Sequence, residues 1–321
     1  MRNKERAVAV VSALLLGGCA ASGSTTREPL GERLDRMQQR VYEGSQRVAE
    51  RFDTRFSKAD QTPLPFEPTP FRIGIETAAI DRADGVELPG RVDLDFSLAL
   101  PNIERRLRLF VTTDDLTDSP ELDDRRQNRL RIGARYAFLR DVDFDVGVRA
   151  EVWPTTFTSL RWSQLHLQGN WRWAPFVKTY FESDDGFGVA TGFTIDRFWG
   201  PWLLRSSSFY DWQTRSDAAA WTQAFVLARA KSRISEMRPT ALARVEDIGE
   251  GWALRLAVGG EREFDSRVSS YAATLLFKRH LHGRWLYGYA GPEVRFDRKY
   301  DWNPDYGVRV GIDALFRERE R

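Results

Sequence analysis

The chain has 321 residues, 48 Lys+Arg against 46 Asp+Glu, and 12% aromatic residues that include 11 Trp. A formal charge of +2 leaves no basic footprint for nucleic acid. No run approaches the roughly 18 consecutive apolar residues of a membrane helix, and one cysteine excludes a disulfide framework or a multi-cysteine metal site.

The first elements are processing signals. Arg2, Lys4 and Arg6 precede the short apolar core Ala7–Leu16, which has the shape of a secretory signal peptide over residues 1–18. Its end, Leu16-Gly17-Gly18-Cys19, resembles the lipobox of bacterial lipoproteins. That resemblance implies cleavage before Cys19, lipid attachment to Cys19 and, with Ala20 rather than Asp next, sorting to the outer membrane. Removing residues 1–18 takes away Arg2, Lys4, Arg6 and Glu5 and leaves a neutral remainder. An ordinary signal peptide with a chance cysteine is the alternative.

Residues 19–28 read as a small polar tether, and 29–58 as an amphipathic helix. Leu30, Leu34, Met37, Val41, Val48, Phe52 and Phe56 fall at helical spacing, with Arg33, Arg36, Arg40, Glu50 and Arg51 between them. Three readings stand for this helix: a lumen plug, a self-associating coil, or a helix lying against periplasmic strand ends. Gly44 interrupts the stripe, and two or three heptads are few for a coiled coil. A periplasmic protein partner would bind through this segment. Pro63, Pro65, Pro68 and Pro70 exclude helix and mark residues 59–70 as a linker.

Residues 71–316 carry about fourteen strand-like segments (range 12–16), followed by a charged tail at 317–321. The clearest is the hairpin 130–153. Leu130, Ile132, Ala134, Tyr136 and Phe138 alternate with charged or tiny residues, and so do Phe144, Val146, Val148 and Ala150 after a turn near Arg140-Asp141. If Arg140–Val142 close the hairpin, Tyr136 lies opposite Val146 and Arg131 opposite Glu151. Connections at 100–102, 140–141, 199–201 and 282–283 are short, whereas 80–90, 113–128 and 297–305 are longer and more polar. Outer-membrane barrels have short periplasmic turns and long external loops. An even strand number keeps both chain ends on the periplasmic side. Residues 232–250, with Pro239, read as a periplasmic excursion or an extra strand pair.

Alternation alone also suits a soluble sandwich. Three features favour a membrane barrel with its apolar face to lipid: Trp153, Trp162, Trp171, Trp173, Trp199, Trp202, Trp221, Trp252 and Trp285 near strand ends; crowded charges on the other face; and a final strand Tyr306–Phe316 resembling the aromatic-ended insertion signal of such barrels. Arg317–Arg321 departs from that signal. Arg91–Thr113 and most of Phe176–Phe316 resemble an uncharacterised family of proteobacterial outer-membrane β-barrels. The resemblance rests on Leu98-Ala99-Leu100-Pro101, Ser183-Asp184-Asp185-Gly186-Phe187-Gly188, Trp202-Leu203-Leu204-Arg205 and Gly283-Arg284-Trp285-Leu286-Tyr287. It implies fold and location and adds no chemistry.

Asp184-Asp185-Gly186 reads as a tight hairpin turn, with a Ca²⁺ site as the sharper alternative. Asp114, Asp115, Asp118, Glu121, Asp123 and Asp124 form an acidic external loop, solvated or holding cations between lipopolysaccharide phosphates. His280 and His282 lack an evident third zinc ligand, and Ser206–Ser208 lack a neighbouring histidine for nucleophilic catalysis. No enzyme, metal or cofactor is therefore expected. The remaining chemistry is a lumen charge network of Arg106, Arg108, Arg131, Arg135, Arg149, Arg309, Asp93, Asp95, Asp143, Asp145, Glu151 and Asp313, with Arg255 beside it. Paired, these residues cross-link a closed lumen; segregated onto one wall, the arginines make a polarised pore. The reading is an all-β, antiparallel, up-and-down transmembrane barrel lipoprotein in contact with outer-membrane lipid and lipopolysaccharide. It serves as a passive pore or transport-related scaffold for small polar solutes. The alternatives are a structural or assembly lipoprotein and a lipid-modifying enzyme.

Overall fold

A computed structural model describes residues 29–55, 71–82, 85–99, 106–113, 130–150, 153–215, 219–231, 250–260, 267–283 and 285–316. The signal peptide, Cys19, the tether, the proline linker, the acidic loop, Glu151 and the charged tail lie outside the described residues. The chain divides into two compact units, residues 1–37 and Gln38–Arg321.

The second unit holds a closed antiparallel barrel of fourteen strands. They are β1 (Phe71–Arg82), β2 (Gly90–Ala99), β3 (Leu107–Thr112), β4 (Leu130–Leu139), β5 (Val142–Ala150), β6 (Thr155–Ser163) and β7 (Trp171–Glu182). The circuit continues with β8 (Gly186–Trp199), β9 (Trp202–Gln213), β10 (Ala219–Ala230), β11 (Gly251–Gly260), β12 (Val268–His282), β13 (Leu286–Asp297) and β14 (Pro304–Phe316). Each strand pairs with its sequence neighbours, and β1 closes on β14 from Phe71↔Phe316 to Asp81↔Tyr306. Two three-residue pieces, Gly85–Glu87 and His166–Gln168, extend β1 and β7 at opposite rims. Phe71 and Phe316 mark one rim, the terminal end. The connections expected to be long open at the other rim, the loop end.

The alternation fixes what each face meets. Val308, Val310 and Ile312 on β14 are exposed on the outer wall, as are Val146, Phe193, Leu204 and Phe225 elsewhere. Their neighbours along the strands, among them Arg309, Asp313, Asp145, Thr194 and Arg205, are buried inside. The apolar core is therefore split. Inside, Leu203, Val226, Ala228, Leu276 and Tyr289 cluster over β9 to β13, and Phe176, Tyr180, Ala190 and Phe209 over β7 to β9. The remaining apolar surface forms the outer band. Trp162, Trp171, Trp173, Trp199, Trp202 and Trp252 sit on that wall near the terminal end, where Trp199 stacks on Trp202 at 6.4 Å and Trp202 meets Trp252 edge-on at 5.6 Å.

The hairpin at 130–150 has a shorter turn than its sequence spacing suggests. Leu139 pairs with Val142 across Arg140-Asp141, and an irregularity at Phe138 sets Tyr136 opposite Phe144 and Arg131 opposite Arg149. The expected register is thus displaced by two residues. A two-residue slip preserves the face of every side chain, so the polar face is intact while its partners change.

Helix α1 (Leu30–Arg55) begins as expected. Its part from Gln38 onward packs on the barrel at the terminal end. Tyr42 is buried against Phe71 and Phe316, beside Ile73, Phe96 and Ala314. Ala49 is buried against Leu98, beside Phe96, Leu107 and Leu109. All of these barrel residues have the outward parity of their strands. The helix therefore lies against strand ends, on the outer wall, and the packing face differs from the expected stripe: Met37, Val41 and Val48 remain exposed.

Candidate functional site

The lumen is built from a repeated unit legible only once register is known. A glycine on one strand leaves room for an aromatic ring from the next, and a cation lies over that ring. Phe110 covers Gly133 under Arg135, Phe157 covers Gly147 under Arg131, and Phe176 covers Gly192 under Arg161. Tyr180 covers Gly188 under Lys178, and Tyr289 covers Gly311 under Lys278. A Cβ at any of these glycines would collide with the ring. The rings thus lie flat on the wall instead of across the bore, and each offers its negative face to a cation at 5.0–5.9 Å.

Carboxylates then bridge cations contributed by different strands. Asp196, 1% exposed, accepts from Arg172 Nε at 2.7 Å and Arg205 Nε at 2.7 Å, one from each neighbouring strand. Asp313, also 1% exposed, holds Arg72 at 2.9 Å and Lys278 at 2.6 Å. Glu182 receives Arg131 at 3.0 Å and Arg149 at 2.7 Å, which resolves the like-charge pairing of those two arginines across the β4–β5 hairpin. Arg309 binds Glu76 and, at 2.8 Å, Glu293, while Tyr289 donates to Glu76 at 2.8 Å. Arg135 holds Asp145 with two hydrogen bonds at 2.7 and 2.8 Å, and Arg91 holds Asp93 at 2.7 Å.

The residues singled out from the sequence fall at different places in this scheme. Arg131, Arg135, Arg149, Arg309, Asp93, Asp145 and Asp313 join it with the partners just given. Arg108, Asp95 and Asp143 face the lumen; Asp95 and Arg108 are exposed there, and Arg135 feels both Asp143 and Asp95. Arg106 does not join. It sits exposed in the turn before β3 and donates to the Phe138 carbonyl at 3.4 Å, because the strand begins one residue after it. Arg255 faces inward between Val226 and Thr274. Sequence reasoning missed Glu76, Glu182, Glu293, Asp196, Arg72, Arg172, Arg205 and Lys278. All but Arg172, which precedes the segment read at 174–183, lie on inward positions of strands the sequence shows, so strand parity carried the signal and pairing had to supply the rest.

Asp184-Asp185-Gly186 forms the expected turn, with Gly186 at a φ of +79°. Glu182 joins the two aspartates within 4.8 Å. Arg149 lies among them, bound to Glu182 and Asp184 and 4.0 Å from Asp185, so an arginine already serves these carboxylates. His280 Nδ1 lies 3.2 Å from Glu250, which also binds Lys231 at 2.7 Å. Ser206 and Ser208 bond to Gln223, and Ser207 to Thr194.

A closed barrel with an apolar outer band, a tryptophan-rich rim and a charged interior is a transmembrane β-barrel of the outer-membrane class. No protein-family model matches the sequence, and no curated protein matches it at a significant level. Solved porins share the architecture loosely. OprB of Pseudomonas putida has 8% identity over 77% of this chain and 94% of its own, with a TM-score of 0.45. An anion-selective porin from Comamonas acidovorans has 8% identity over 77% and 98%, with a TM-score of 0.42. The KdgM porin solved with disordered oligogalacturonate has 8% identity over 76% and 98%, with a TM-score of 0.38. At this distance no residue role and no solute carries over from them.

Proposed function

We propose that this chain is a lipid-anchored outer-membrane barrel acting as a narrow passive pore for small polar solutes, with its terminal end in the periplasm. The observation that carries the reading is the inner wall. Charged side chains line it on most strands, beside the apolar cluster over β9 to β13, and Asp95 and Arg108 on adjacent strands stay exposed inside it. Charged rings of this kind set which ions pass. The placement of Cys19 rests on the lipobox alone; an anchor before a barrel whose ends share one rim is compatible with it.

Planar-bilayer conductance tests the reading. The purified protein should give steady conductance. Arg108→Glu should move the reversal potential in a salt gradient toward cation preference, and Asp95→Lys toward anion preference. Absence of steady conductance in correctly folded protein would sink the pore.

A second reading has its own observation. The bridged carboxylates and arginines are almost all buried, as expected of a cross-linked interior that stiffens a structural or assembly lipoprotein. Folded, non-conducting protein that captures periplasmic proteins through residues 29–55 would favour it.

A further inference from the structure

We propose that α1 from Gln38 onward is an interfacial belt: one face is fixed to the outer wall of the barrel, and the adjoining face is buried in the phospholipid leaflet at the terminal end. The inference rests on the barrel spanning a membrane and does not depend on its conducting.

Direction comes first. Tyr42 packs on β14 and β1, and Ala49 on β2 and β3. The rise between them is about 10 Å, which matches about two strand spacings. The helix therefore crosses the strands and follows the rim, as a helix in the plane of a membrane interface does.

Position comes second. The outward tryptophans at this rim lie on β6 to β9 and β11. The strands of the arc β14–β1–β2–β3 carry Phe316, Phe71, Leu98 and Leu107 at that level and no tryptophan of their own; Trp285, between β12 and β13, reaches Phe316 at its edge at 6.3 Å. The helix covers this arc and continues the interfacial girdle around it.

The helix itself supplies the third argument. At about 100° per residue, Val41 and Val48 point a quarter-turn from Tyr42 and Ala49, and they are 43% and 68% exposed. Around the same helix Arg40, Arg47 and Arg51 lie opposite the docking face, between this apolar edge and Glu43 and Glu50, which point away from it. An order of valine, then arginine, then glutamate around the helix matches a leaflet whose phosphates lie between its acyl chains and the water. A second copy or a soluble protein gives no reason for that ordering.

The test uses the full chain with Cys19→Ser, which leaves one introduced thiol per variant. Val48→Cys, Glu43→Cys and Val310→Cys are each labelled with an environment-sensitive fluorophore and folded into phosphatidylethanolamine–phosphatidylglycerol vesicles with nitroxide-bearing acyl chains. The label at 48 should lose most of its emission to the acyl quencher, as the label at 310 does, while the label at 43 keeps it. Quenching at 310 but not at 48 overturns the belt and leaves the membrane barrel standing. No quenching at 310 refutes the barrel reading itself. Self-quenching at 48 that grows with protein-to-lipid ratio, without nitroxide quenching, overturns the belt in favour of a second copy.

Discussion

Each inward carboxylate that joins two strands carries a disproportionate share of the interior electrostatics. Glu182 separates Arg131 from Arg149, which the register places opposite each other. Taking one partner from a buried ionic group leaves uncompensated charge and costs roughly 3–5 kcal/mol. Glu182→Gln should therefore lower barrel stability by about that amount in denaturant titrations, and Glu182→Gln with Arg131→Met should recover part of it. A comparable effect in a surface control such as Glu43→Gln would show that the loss is not specific to the buried bridge. The glycines are a second residue-scale feature. Gly311→Ala puts a methyl where the Tyr289 ring lies and should cost roughly 1–3 kcal/mol. Pairing it with Tyr289→Ala should be less than additive, because removing the ring removes the collision.

At the scale of elements, alternation decides which substitutions a strand accepts. Val310 is exposed at the middle of β14, between inward Arg309 and Gly311. If that face meets hydrocarbon, Val310→Arg should destabilise the barrel in a bilayer by about 2–4 kcal/mol, measured by folding into lipid vesicles. Little effect would mean that the face is not in lipid. Another element-scale feature is the clip that joins the end of β10 to the start of β11. Lys231 N–H donates to the Glu250 carbonyl at 2.7 Å, and its ammonium to the Glu250 carboxylate. Hydrogen bonds from Lys231, and then from His280, hold the Glu250 carboxyl below its ordinary value. Since the folded value lies under the unfolded one, the stabilisation is complete above the ordinary carboxylate range. It fades as pH falls through the lowered value. Carbon-13 titration of Glu250 should show that lowered midpoint, and Lys231→Met should raise it.

The molecule as a whole presents an apolar band outside and fixed charge inside, and its proposed work follows from that inversion. A soluble domain of this size would bury its apolar face; here that face is outermost, and the ion pairs occupy the interior. Buried pairing stiffens the wall, while Asp95 and Arg108 remain exposed on its inner side. Deleting residues 29–55 should leave single-channel conductance unchanged, because the helix from Gln38 packs on the outer wall rather than in the bore. A rise in conductance on deletion would mean that this segment obstructs the lumen.

An antiparallel barrel of about fourteen strands and the inward or outward sense along its cleanly alternating strands were legible in the sequence alone. Period two is a local property, and turn chemistry punctuates it. Cys19 likewise rests on local spacing. Only the tertiary structure decided which charges meet. The short turn and the irregularity at Phe138 together moved the register by two residues, which kept the polar face yet paired Arg131 with Arg149, and Glu182 from another hairpin then bridged both. The same holds for the helix. Leu30, Met37, Val41 and Val48 of its expected stripe are exposed, and Tyr42 and Ala49 became the docking face because they fit the aromatic and aliphatic surface of β14 to β3. Long-range partners depend on shape complementarity between segments far apart in the chain, which no local periodicity contains.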